Sequence, residues 1–92
     1  MDEAKKKHEF EPDYAIPPGA TLMEVMESLE INQKELSIRT GLTEQTLIQI
    51  FKGDQPISYE TANRLELATR ILASMWNNLE AQFVEQRARL AE

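Results

Sequence analysis

The stretch from Gln33 to Lys52, QKELSIRTGLTEQTLIQIFK, decides the fold. Asn32 stands directly before it and Glu35 follows three residues on. That is close to a capping box, in which side chains satisfy the amides that a helix start leaves open. Ile31 and Leu36 occupy the positions of a hydrophobic staple around that start. The pattern then recurs, with Thr43 placed to cap a second helix and Leu42 and Leu47 placed to staple it. Gly41 lies between the two, and Gly53 closes the second; glycine tolerates the positive φ of a helix C-terminus. The spacing therefore predicts two short helices joined by a tight turn.

Packing of that pair follows from its apolar positions. Leu36, Leu42, Leu47 and Ile50 are expected to point inward, and Ser37 is small enough to let the helices approach. Glu44, Gln45, Ile48, Gln49 and Lys52 are left on the outward face. A glutamine amide can bond adenine bidentately, and an exposed isoleucine can meet a thymine methyl. The pair thus reads as a helix-turn-helix whose second helix, about Thr43 to Lys52, suits a DNA major groove. An ordinary helical hairpin with a polar face is the alternative. On the groove reading Glu44, Gln45, Ile48 and Gln49 face bases, while Gln33, Arg39, Thr43 and Lys52 contact the backbone. Gln55 and Ser58, in the loop after Gly53 and the helix start beyond it, join them as backbone contacts.

Ninety-two residues, 41% of them hydrophobic, make one domain with a modest core. No apolar run is long enough to cross a bilayer and no signal-peptide pattern is seen, so the expectation is a cytoplasmic protein away from membranes. The absence of cysteine excludes disulfides and thiolate metal sites. The net charge of −6 counts against DNA, because phosphate affinity comes from basic surface. Its distribution softens the objection: from Gln33 to Gly53, Lys34, Arg39 and Lys52 stand against Glu35 and Glu44. The acids gather at Glu24, Glu27 and Glu30 and at Asp2, Glu3, Glu9, Glu11 and Asp13. Such a chain is expected to need a dimer or a partner for useful affinity, and its acidic remainder could attract a basic protein; a solvated acidic face is the blander reading.

Residues 1–18 read as a partly disordered leader, charged, aperiodic and interrupted by Pro12, Pro17 and Pro18. Phe10, Tyr14 and Ile16 are apolar enough to pin its later part to the body. His8-Glu9 is half of a zinc-protease motif, but the chain has no second histidine, so no metal site is expected. Residues 19–70 form the helix-turn-helix core. Its first helix follows Pro18-Gly19, with Thr21 and Glu24 as a capping box and Leu22, Val25, Met26 and Leu29 as one apolar stripe. Ser58 caps a fourth helix, with Ile57 stapled onto Ala62. Residues 71–92 form a last helix in the same domain, with Leu72, Trp76, Leu79, Phe83 and Leu90 as its stripe. Met75 and Val84 widen that stripe beyond what a small core requires. Met75, Trp76, Leu79, Phe83 and Val84 are therefore expected to meet a second copy, symmetric dimers being the commonest oligomers.

The helix pair resembles the phage-repressor-like (Xre) helix-turn-helix, and the wider chain is similar to antitoxins of the HigA type. The resemblance is carried by Pro17-Pro18-Gly19, Gln33-Lys34-Glu35-Leu36, Arg39-Thr40-Gly41-Leu42, Gly53 with Pro56-Ile57, and Trp76-Asn77-Asn78-Leu79-Glu80. It runs from about Phe10 to Leu90. It implies an all-α, five-helix, lambda-repressor-like DNA-binding domain with an extended leader. It further implies a dimeric antitoxin that represses its own operon and binds a small mRNA-cleaving toxin. The same module resembles the N-terminal part of proteins fused to a zinc peptidase, a domain absent from this sequence. Ser37 stands where the family usually has alanine. Arg70 and Leu72 replace the usual glycine and proline, which predicts a more continuous junction between the last two helices. Ile38 and Ile48 occupy outward positions that are commonly polar.

Three function classes follow. The first is a sequence-specific DNA-binding regulator acting on an inverted repeat, its half-sites about 34 Å apart. The second is a protein-interaction module that keeps the fold without binding DNA, motivated by the acidic charge and by Glu44. Catalysis is the weakest: with one histidine, no cysteine and no serine set beside a base and an orienting acid, no constellation meets the geometric requirements. No cofactor is expected.

Overall fold

A computed structural model describes residues 15–91 of the chain. The described residues form helices only: α1 (Pro18–Leu29), α2 (Gln33–Thr40), α3 (Glu44–Lys52), α4 (Tyr59–Thr69) and α5 (Ala73–Leu90). This is the expected five-helix architecture. Phe10 and Tyr14 of the leader lie outside the described residues, as do His8 and Glu9. Ile16 lies within them, half-exposed, and it is its backbone that ties the chain down: its amide donates to Gln86 Oε1 of α5 (3.2 Å). None of the described helices is long and apolar enough to cross a membrane.

The core is built from α1, α3, α4 and α5, with α2 closing one side. Leu22, Leu36, Leu47, Ile50, Leu65 and Trp76 are its largest fully buried side chains. Met26, Ile57, Ala62 and Ala68 fill the space between them. α1 lies across α3, α2 bridges α3 and α4, and α5 packs along α4. Truncating one of the large buried side chains to alanine in such a core costs about 2–5 kcal/mol.

The start of α1 differs from the capping-box expectation. The helix begins at Pro18, the residue after Pro17 at the N-cap, and no side chain caps it. Thr21 is therefore inside the helix. Proline suits this first position, because its fixed φ is helical and its missing N–H would have no helical partner. The stripe is also shorter than expected: Leu22 and Met26 are buried, Val25 packs at the core's edge, and Leu29 is largely exposed.

The α4–α5 junction does not run continuously. Arg70 takes a left-handed backbone (φ 67°) at the end of α4, and α5 restarts at Ala73. Side chains make the break without glycine or proline. Thr69 Oγ1 accepts the Ile71 amide (3.2 Å), and Glu66 Oε1 accepts the Ala73 amide (2.8 Å), capping α5 from the previous helix. Leu72 consequently stands at the N-cap with its side chain in solvent, and Leu90 at the far end is also exposed. The buried part of the α5 stripe is thus Trp76 and Phe83, flanked by half-buried Leu79.

Candidate nucleic-acid interface

α2 and α3 are begun and ended by the local cues that their sequence carries. Asn32 Oδ1 accepts the Glu35 amide (2.8 Å), and Thr43 Oγ1 accepts the Thr46 amide (3.0 Å). Glu35 does not reach back to complete the box. Its carboxylate instead pairs with Arg39 one turn on (2.9 Å). Gly41 and Gly53 take left-handed conformations, at φ 78° and 81°. Ser37 Oγ donates to the Leu42 carbonyl, tying the body of α2 to the turn. Arg64 Nη1, from α4, donates to the Thr40 carbonyl (2.9 Å) and secures the same turn from below.

α3 is held at both ends. At its C-terminus the Gly53 amide bonds Ile50 O (3.0 Å), while the Asp54 and Gln55 amides both reach Gln49 O (2.9 and 3.3 Å). Gly53 packs beneath Pro17 and Phe83: an added Cβ would stand 2.9 Å from Pro17 Cβ and 3.1 Å from Phe83 Cζ. Gly19 of α1 lies so close to α3 that a Cβ there would run into the Ile50 carbonyl and Phe51 Cα. The absence of a side chain at Gly19 therefore sets how deeply α3 is seated. Sequence reading assigned Gly19 no such part, because the partner lies some thirty residues away and leaves no local signal.

The outward face of α3 carries the residues expected there. Leu47 and Ile50 are buried, while Glu44, Gln45, Ile48 and Lys52 are exposed and Gln49 is half-buried. With 3.6 residues per turn, Glu44, Ile48 and Lys52 run along one line and Gln45 and Gln49 along the next, giving one continuous strip. Gln33 joins this strip from α2, its Nε2 donating to Glu44 Oε1 (3.0 Å). The starts of α2 and α3 are thereby clamped together, and part of the hydrogen-bonding capacity of both side chains is engaged. Gln55 and Ser58 are exposed beyond the C-terminal end of α3. The hydroxyls of Thr43 and Ser58 are engaged as helix caps, each accepting an amide three residues on and donating to a threonine hydroxyl.

Two groups of expected site residues are placed differently. Arg39 lies about a third of a turn around α2 from Gln33. It is paired with Glu35 and lines a surface pocket with Leu29, Leu67, Ala68, Thr69 and Arg70, so it does not join the strip. Trp76 is fully buried and Phe83 nearly so, with the Arg87 guanidinium 4.5 Å above the Phe83 ring. These two aromatics complete their own subunit's core and leave little or no surface for a second copy. Met75 and Val84 are about half-exposed, and Leu79 is half-buried against the core.

The charge around the strip is slightly positive. Lys34 and Lys52 are exposed cations with no ion pair among the described residues, while Arg39 is matched by Glu35. Glu44 is the acid that sits on the strip itself.

Comparison with known proteins bears on the same region. The helix-turn-helix family profile matches residues 22–71, just over half of the chain. No curated protein matches the sequence. A solved structure from Nostoc punctiforme, described as a candidate antidote protein of a plasmid maintenance system, is similar with a TM-score of 0.78. It is 24% identical, and the match covers 85% of this chain and 86% of that one. At that identity the likeness establishes a shared fold.

Proposed function

We propose, from the premise that this chain belongs to the helix-turn-helix family, that it is a sequence-specific DNA-binding regulator and the antitoxin of a HigA-type module. The observation that carries the DNA reading is the strip on α3: mostly polar, exposed except for half-buried Gln49, continuous, and fixed at both ends. Gln45 and Gln49 present amides suited to adenine, and Ile48 presents a methyl surface suited to thymine. Lys52, Lys34 and Gln55 contact phosphates and set the register. Two copies related by a two-fold axis engage an inverted repeat, with half-sites about 34 Å apart. Met75 and Val84 supply apolar area for that pairing. The antitoxin reading draws support from the plasmid-maintenance description of the Nostoc protein, and from the Trp76-Asn77-Asn78-Leu79-Glu80 segment. On that reading the chain represses its own operon and neutralises a small basic, mRNA-cleaving toxin.

The test is binding to DNA from upstream of its own gene, measured over a range of salt concentrations. Gln45→Ala lowers affinity by about 1–3 kcal/mol and relaxes preference at one base. Lys52→Ala weakens all sequences alike and reduces the salt slope by about 1. Wild-type binding that is undetectable at every salt concentration sinks the DNA reading. The observation favouring a protein-interaction module instead is Glu44, whose carboxylate on the strip repels phosphate; Glu44→Gln keeps an acceptor for Gln33 and, on the DNA reading, tightens binding.

A further inference from the structure

Loop residues 53–57 join α3 to the cap of α4, and the amides of this loop are disposed of unequally. Those of Gly53, Asp54 and Gln55 all turn back onto the end of α3. Pro56 has none. The Ile57 amide alone among them depends on a distant side chain, donating to Glu80 Oε1 of α5 (3.1 Å). Ile57 is 4% exposed, so that N–H is not easily served by solvent. The two anchors thus bracket the stretch that presents Gln55 and lead directly into Ser58.

The second carboxylate oxygen has a complementary neighbour. Glu80 Oε2 and Trp76 Nε1 are both buried and have no hydrogen-bond partner. One is an acceptor and the other a donor, and they lie four residues apart on one face of α5. Trp76 is 0% exposed, which leaves Glu80 as the polar group of its own helix face within one turn.

We propose that Glu80 is the positioning residue of the loop that flanks the DNA-reading helix, one carboxylate oxygen holding the Ile57 amide while the other is the acceptor available to the Trp76 indole N–H, though not bonded to it directly. The proposal rests on the DNA-binding reading above. The carboxylate is the group that can do both, because it offers two acceptor oxygens. A glutamine offers one, so it keeps the loop or the indole but not both. An alanine keeps neither, and the Ile57 end of the loop is released while its α3 end stays bonded. Loss of this latch therefore displaces Gln55 and Ser58 without touching the base-facing strip.

The experiment uses the full chain as wild type, Glu80→Gln and Glu80→Ala, below the unfolding transition of each. Three readouts are taken: hydrogen exchange at the Ile57 amide, the Trp76 indole N–H resonance, and affinity for an upstream DNA fragment at several salt concentrations. In Glu80→Ala, Ile57 exchange rises at least about tenfold, the scale of one lost hydrogen bond to a charged group. DNA affinity falls about as much at every salt concentration with the salt slope unchanged, because the displaced Gln55 and Ser58 carry no charge. Glu80→Gln gives up one of the two contacts: either Ile57 stays protected with DNA affinity near wild type and the indole resonance shifts, or Ile57 exchange rises and affinity falls. A part in stability alone would lower the melting temperature and leave the DNA affinity of the folded protein unchanged. Unchanged Ile57 exchange, or unchanged DNA affinity in folded Glu80→Ala, overturns the proposal. Should Glu80→Ala not fold, Ile57 exchange and indole resonance both unmoved in Glu80→Gln do so. A wild-type chain that ignores DNA overturns the function instead, and the Ile57 exchange then still decides the Glu80 contact.

Discussion

Two turns of the molecule are near copies of each other. In Thr40-Gly41-Leu42, after α2, the Gly41 amide bonds Ser37 O, Thr40 Oγ1 bonds Leu36 O, and the Leu42 amide returns to Thr40 Oγ1. In Thr69-Arg70-Ile71, after α4, the Arg70 amide bonds Glu66 O, Thr69 Oγ1 bonds Leu65 O, and the Ile71 amide returns to Thr69 Oγ1. The middle residue takes a left-handed backbone in both, at φ 78° and 67°. One turn uses glycine and the other arginine. The difference lies in what surrounds them. A Cβ on Gly41 would stand 2.7 Å from the Arg64 Nη1 that bonds the turn's own carbonyl. Arg70 is exposed, and its charge suits the negative end of α4.

A second pair repeats the lesson. α1 ends on Glu30 and α3 on Gly53, each followed by an amide that reaches five residues back to the helix. Gly53 is walled by Pro17 and Phe83, whereas Glu30 is exposed. Glycine thus brackets α3, where an added Cβ would meet Arg64 at one end and Pro17 and Phe83 at the other. Residues with side chains end α1 and α4, where strain is tolerated and the side chain lies in solvent.

Substitutions break or sharpen this contrast. Gly53→Ala imposes both a positive φ on a Cβ and a contact with two rings, so it should destabilise by about 2 kcal/mol or more. Gly41→Ala should cost about 1–2 kcal/mol, because the obstructing atom is the far end of a flexible arginine. Glu30→Gly should instead stabilise by about 1 kcal/mol, relieving strain and removing an acid from the negative end of α1. Arg70→Gly should give the smallest effect, a gain below about 1 kcal/mol, since a favourable charge is lost with the strain. Urea titrations of the four variants check all of these. Equal losses at all four positions would mean that the glycines have no special place around α3.

The same contrast explains what was legible in the sequence. α2 and α3 were readable because caps, staples and glycines are local: Asn32, Thr43, Gly41 and Gly53 all act within four residues of themselves. The polar strip on α3 was readable from helical period alone. The α4–α5 break was not, because its cap comes from Glu66, seven residues upstream of Ala73, and its left-handed residue is an arginine. The repeat of threonine, any residue, then an aliphatic, at residues 40–42 and 69–71, was the signal available. Gly19 against α3 and Glu80 against Ile57 join elements distant in sequence, so no window of local pattern contains either contact. The expectation that Trp76 and Phe83 face a second copy went astray because a long apolar stripe has the same period whether it lines a core or an interface.

The most direct test of the central claim is an NMR titration of the isotope-labelled chain with a duplex from upstream of its own gene. The account predicts that the largest amide and side-chain shifts fall on Gln45, Ile48 and Gln49, followed by Lys52 and Gln55, with Leu29, Arg39 and Leu67 unmoved. Shifts confined to the acidic face of α1 or to α5, with Gln45 and Gln49 silent, would contradict it.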